Sequence, residues 1–194
     1  MSGINVRSGV GTGGKELSFA AKLTYGGLLI ALGVLLPQVF HIFGQNAGMI
    51  FLPIQLPVFL AGLLLGPVYG GVIGVIVPAL GCVMTGMPPV PKVYFMFFEL
   101  AAYGIVTGCL RKRCPVYVNL VTAMVAGRAA YGASLAAGIA FLGLKAPFAS
   151  RAAFVSGIVM GIPGIVIQLV ILPVLYKRLV TGIGSGERSV PDGR

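Results

Sequence analysis

Two charged residues, Glu99 and Arg128, lie well inside long apolar stretches of the sequence. A buried charge in a membrane span is costly and marks a functional hypothesis whose partner must be named. Each can be the other's partner. Glu99 precedes Arg111 by 12 residues and Arg128 follows Pro115 by 13, so on antiparallel helices both stand about 18–20 Å from the loop joining them. Such a pair either locks two helices together or faces a cavity and binds a polar substrate group. Phe95 and Tyr103 flank Glu99 at four residues on either side, on the same helix face, and Tyr131 follows Arg128 by one turn. Aromatic walls around a few convergent polar groups suit a flat organic molecule. The same spacing also serves plain helix packing.

A second candidate region runs from Gln38 to Met49 and holds Phe40, His41, Phe43, Gln45 and Asn46, with Gln55 just beyond. As a polar and aromatic external loop it either folds over a pocket mouth or anchors at the lipid headgroups. Other chemistry is poorly served. Ser134 and Ser156 are possible nucleophiles, but the sole histidine, His41, is expected at the outer surface away from both. No catalytic residue is therefore assigned. Cys82, Cys109 and Cys114 form neither a disulfide framework nor a metal knuckle, and one histidine makes a metal site hard to build. Gly9, Gly14 and Lys15 match a phosphate-binding loop except at Glu16, which stands where a Ser or Thr would hold magnesium. No apolar strand precedes it, so no cofactor is expected.

The elements that must position these residues follow from composition. The 194 residues are 57% hydrophobic and 9% charged, against about 25% charged in a soluble domain. The chain reads as an all-α integral membrane protein. Apolar stretches at about 20–40, 51–66, 68–85, 93–110, 116–142 and 153–176 give six transmembrane helices, the second short and opening at Pro53 and Pro57. Pro78, Pro163 and Pro173 fall inside spans and should bend them. Residues 1–19 and 179–194 read as flexible tails around a membrane domain spanning 20–178. The net charge of +10 is concentrated in the tails and in Arg111, Lys112 and Arg113, whereas the opposite loops hold Lys92, Lys145 and Arg151. The positive-inside bias places both termini in the cytoplasm, and no nucleic-acid partner is implied. Gly62, Gly66, Gly70 and Gly74, the pair Gly104 and Gly108, and the pair Gly157 and Gly161 have the small-xxx-small spacing of close helix packing in lipid. Packing within the chain is the preferred use of that spacing over a subunit contact.

The segment FLPIQLPVFLAGLLLGPVYGGVIG from Phe51 to Gly74, TGMPP at Thr85 to Pro89 and FELAAYGIVTG at Phe98 to Gly108 resemble the substrate-binding S components of energy-coupling factor (ECF) transporters. The resemblance covers roughly residues 20–178. It implies a six-helix binding subunit in a bacterial or archaeal plasma membrane that captures a vitamin or related organic micronutrient from outside. It further implies partners, a transmembrane coupling subunit and two ATP-binding cassette ATPases that use ATP on its behalf, so the chain itself is not expected to be an enzyme. In the family a small-residue AxxxA-like motif on the first helix meets the coupling subunit, and the matching positions here are Gly27 and Ala31. A metal substrate is not expected, because nickel and cobalt versions look to use a histidine close after the initiator Met. The alternative is a self-sufficient secondary transporter in which Glu99 carries a coupling proton, although the chain lacks the internal repeat many such carriers display.

Overall fold

A computed structural model of the protein describes residues 17–42, 51–142 and 151–186. The Gly9 to Glu16 pattern, Phe43, Gln45, Asn46 and Lys145 lie outside the described residues. The described chain is helical throughout its regular structure: α1 (Phe19–Ile42), α2 (Gln55–Leu65), α3 (Pro67–Thr85), α4 (Lys92–Leu110), α5 (Val116–Leu142) and α6 (Arg151–Gly186). In lipid every backbone N–H and C=O must be satisfied within the protein, and a helix does this within one segment. Five of the six are long and apolar enough to cross a membrane. The sixth, α2, has 11 residues and rises only about 16 Å.

That short helix is the plug of the bundle. Nine of its residues are buried, and it packs against α1, α3, α4 and α6. Its length is set at both ends. Pro53 precedes it, and Gly66 ends it at φ 104°, a conformation in which a side chain is strained. Pro67 then opens α3 at the first helical position, where its missing N–H costs nothing. Arg111 reaches back from the end of α4 and donates from Nη1 to the Leu64 carbonyl at 3.0 Å. A cation there offsets the negative end of the α2 dipole and satisfies an orphan carbonyl.

The glycine spacing resolves into close packing within the chain. A Cβ at Gly62 would stand 2.6 Å from the Gly104 carbonyl oxygen, one at Gly70 2.5 Å from the same atom, and one at Gly74 2.5 Å from the Leu100 carbonyl oxygen. A Cβ at Gly108 would meet the Pro67 backbone. Thus α2 and α3 approach α4 backbone to backbone, where dispersion replaces the absent hydrophobic drive. Gly157, in contrast, has nothing within 4 Å of a Cβ.

Two boundaries differ from expectation. Helix α1 continues through Pro37 to Ile42, so Gln38, Phe40 and His41 belong to its last turns and not to a loop; Val39 and Ile42 carry the apolar run onward. Helix α6 has 36 residues and runs to Gly186, so 179–186, expected within the C-terminal tail, is helical. Pro78, Pro163 and Pro173 lie within unbroken helices.

Candidate functional site

The site is built on one face of α4. Lys92, Phe95 or Met96, Glu99, Tyr103 and Thr107 recur at helical spacing, and Phe95, Glu99, Tyr103 and Thr107 are all buried. Helix α5 packs along this face, tied at its lower end by Asn119, whose Nδ2 donates to the Thr107 carbonyl at 2.9 Å. With register set there, the two charges stand opposite each other. Arg128 Nη1 lies 2.7 Å from Glu99 Oε1, and the Tyr103 hydroxyl donates to the same oxygen at 2.7 Å. Charge-assisted bonds of this kind are about twice as strong as neutral ones, and here they meet the large cost of holding a carboxylate away from water.

Tyr103 is seated by its neighbours. Its ring lies 4.9 Å from that of Phe59 on α2, centroid to centroid, and fills the space a side chain at Gly127 would occupy. Gln55, the first residue of α2, is buried beside it. Phe95 and Tyr131 meet edge to face across the α4–α5 seam at 6.5 Å and 77°. The structure therefore brings Gln55, Phe95, Glu99, Tyr103, Arg128 and Tyr131 into one neighbourhood.

Of the outer-loop candidates, only Phe40 has described side-chain contacts. Phe40 packs on Phe51 at 5.2 Å, and the backbone of His41 is in α1. Gly27 and Ala31 lie on an exposed face of α1, and a Cβ at Gly27 would meet nothing within 4 Å. Leu23, Leu28, Leu32 and Leu35 are exposed around them, leaving an apolar surface with a shallow groove at the small residues. A second apolar groove of about 450 Å³ lies on the outer side of α3 and α4, between Pro67, Val68, Gly71, Val72, Val75, Ala101 and Ile105. It offers no polar group to orient a solute.

Two residues not singled out from the sequence, Gln168 and Leu52, complete the surroundings together with Gly161. Gln168 of α6 is buried and donates from Nε2 to the Leu52 carbonyl at 3.0 Å. Leu52 has a positive φ of 50°, unusual for a branched side chain. Its side chain lies against Gly161, where a Cβ would stand 3.0 Å from Leu52 Cδ1 and 3.5 Å from Arg128 Nη2. Gln168 carried a usable signal, a lone amide in the apolar run Gly164 to Ile171. Leu52 carried none.

Among the described residues no three His, Cys, Asp or Glu side chains form a metal-holding group. The arrangement can orient a small solute by hydrogen bonding and ring contact. No curated protein and no solved structure matches the chain significantly. A family model described as "ECF transporter, substrate-specific component" matches residues 21–176, which is most of the chain and all of the site just described, and the protein belongs to that family.

Proposed function

We propose that this protein captures a vitamin or a related small organic micronutrient from the outer side of a bacterial or archaeal plasma membrane. It delivers that cargo by joining a transmembrane coupling subunit and two ATP-binding cassette ATPases, which supply the energy. Both termini face the cytoplasm in this reading, which the cation bias of the loops supports. The observation that carries it is the polar cluster of Glu99, Arg128 and Tyr103, bonded at 2.7 Å inside a bundle of membrane-crossing length and walled by Phe95 and Tyr131. An intramembrane charge pair among aromatic rings is the environment a ring-bearing solute with a polar group needs.

Gln55, Phe95, Glu99, Tyr103, Arg128 and Tyr131 form the substrate neighbourhood in this proposal. Phe40, His41, Gln45 and Asn46 serve its outer approach. The bare groove at Gly27 and Ala31 receives a helix of the coupling subunit, because small residues let two backbones close together in lipid.

Reconstitution tests this reading. Uptake into vesicles is expected only when the chain is combined with coupling subunit and ATPases and supplied with ATP. Uptake by the chain alone, driven by a proton gradient without ATP, would establish the alternative of a secondary transporter using Glu99. Native mass spectrometry of the purified chain should reveal one co-purified small organic molecule.

A further inference from the structure

The two members of the buried ion pair are unequally sealed. The Glu99 side chain is 4% exposed and the Arg128 side chain 22%. The carboxylate is covered, with Arg128 and Tyr103 both bonded to its Oε1. A guanidinium carries five N–H donors in a planar fork and no acceptor. One edge of that fork meets Glu99 through Nη1, and Nη2 points toward α6, 3.5 Å from the position a Cβ at Gly161 would take. One turn earlier on α6, Gly157 opens onto empty space. Helix α5 packs extensively on α4 and only sparsely on α6, and the Nη2 edge of Arg128 faces the α5–α6 seam, where Leu52 packs on Gly161.

The charge inventory fixes what that edge accepts. Of the four acidic residues in the chain, Glu16, Glu187 and Asp192 lie near its ends, leaving Glu99 as the sole acid between residues 17 and 186. Lys92 opens α4 two turns before Glu99, on the same helix face, about 10 Å away along the axis. Lys92, Glu99 and Arg128 together carry one net positive charge. A cationic solute would find its one possible counter-charge already covered, and an anionic solute neutralises the cluster.

The geometry points to a small organic carboxylate as the substrate class, its acidic group received by the Nη2 edge of Arg128 and its approach steered by Lys92. This rests on the substrate-capture reading above and sharpens it. Arg128 is a substrate-binding residue here, Glu99 and Tyr103 position it, and Gly161 leaves its Nη2 edge bare, since a methyl there would lie 3.5 Å from Nη2 and crowd Leu52.

The test is native mass spectrometry of the full chain in lipid nanodiscs with matched pairs of acids and their neutral amides: benzoate and benzamide, nicotinate and nicotinamide, biotin and its primary amide. Adducts are expected from acids and not from their amides. Arg128→Gln should weaken the acid adduct about ten- to a hundred-fold, as loss of a charge-assisted bond does. Since that variant leaves Glu99 unpaired and can fail to fold, the double variant Glu99→Gln/Arg128→Gln and the single variant Gly161→Ala are measured beside it. Both should keep the bundle's melting temperature and lose acid binding. Equal or tighter binding of the amides, no adduct from any acid, or acid binding unchanged in Gly161→Ala and in the double variant would each overturn the assignment. Association with the coupling subunit is scored separately, so the substrate class can fail while the transport role stands.

Discussion

The ring of Tyr103 occupies the volume that a side chain at Gly127 would fill, and from that seat its hydroxyl reaches Glu99 Oε1 at 2.7 Å. The residue after Gly127 is Arg128, which meets the same oxygen. One small position on α5 thus sets the α4–α5 distance at which both bonds form. Gly127→Ala should push the ring out of place and destabilise the bundle by about 1–3 kcal/mol, the usual cost of overpacking. The Gly127→Ala/Tyr103→Ala double variant should regain part of that loss, because the clashing ring is gone. A double-mutant cycle on melting temperature in detergent measures the coupling; strict additivity of the two losses would mean that the residues do not share this space.

The ion pair itself should show the asymmetry of buried charges. Removing either partner, by Glu99→Ala or Arg128→Ala, leaves a charge unmatched in the span and should cost about 3–5 kcal/mol. Replacing both with neutral residues of similar shape, Glu99→Gln/Arg128→Met, should recover most of the stability. Thermal melts of the four proteins in one detergent check the order. A double variant no more stable than the worse single variant would show that the pair is valued for its shape and not for its charge balance.

How much of this was legible in the sequence depended on the kind of signal. Helix α5 begins and ends where its apolar run does, at Val116 and Leu142, and the equal heights of Glu99 and Arg128 above their shared loop follow from helical rise alone. Their pairing was therefore readable from counting. Glycine spacing gave the close approaches, although it did not say that Gly66 is a turn and Gly70 a contact; that needed φ and the position of Pro67. The Leu52, Gly161 and Gln168 cluster was not legible, because it joins residues more than a hundred positions apart through a backbone carbonyl and a bare Cα. Such contacts leave no periodicity. The long apolar run stops at Tyr176, and Gly182, Gly184 and Gly186 follow Lys177 and Arg178, so the helical course of 179–186 was not legible, while a helix satisfies its backbone internally whatever its surface.

Glycines with identical spacing should separate sharply on substitution. Gly70 and Gly104 stand backbone against backbone, so Gly104→Ala drives a methyl into Gly70 and should unfold the bundle or cost several kcal/mol, at or beyond the upper range of overpacking, about 3 kcal/mol. Gly27→Leu adds its side chain to open space on α1, and the stability should hold within about 0.5 kcal/mol of wild type, as for an exposed site. The same Gly27 substitution should abolish co-purification with the coupling subunit, since the groove is then filled. Pull-down from membranes with tagged coupling subunit decides it; undiminished association would move the partner surface away from Gly27 and Ala31.

Three native cysteines make the proposed orientation testable without foreign tags. Cys82 lies in the last turn of α3, beside the turn leading to α4, whereas Cys114 follows α4 at its other end, next to Arg111, Lys112 and Arg113. Helix α4 has 19 residues and spans about 28 Å, close to the hydrocarbon thickness of about 30 Å, so the two thiols belong to opposite sides of the membrane. Variants retaining one cysteine each, with Cys109 replaced in both because it is exposed on the span itself, are treated with a charged maleimide that does not cross lipid. In intact cells Cys82 should react and Cys114 should not, and in inside-out vesicles the preference should reverse. Since the cation cluster beside Cys114 is what the positive-inside bias reads, labelling of Cys114 from outside would invert the topology. It would also place the Lys92 end of the site, through which the substrate is proposed to arrive, on the cytoplasmic side.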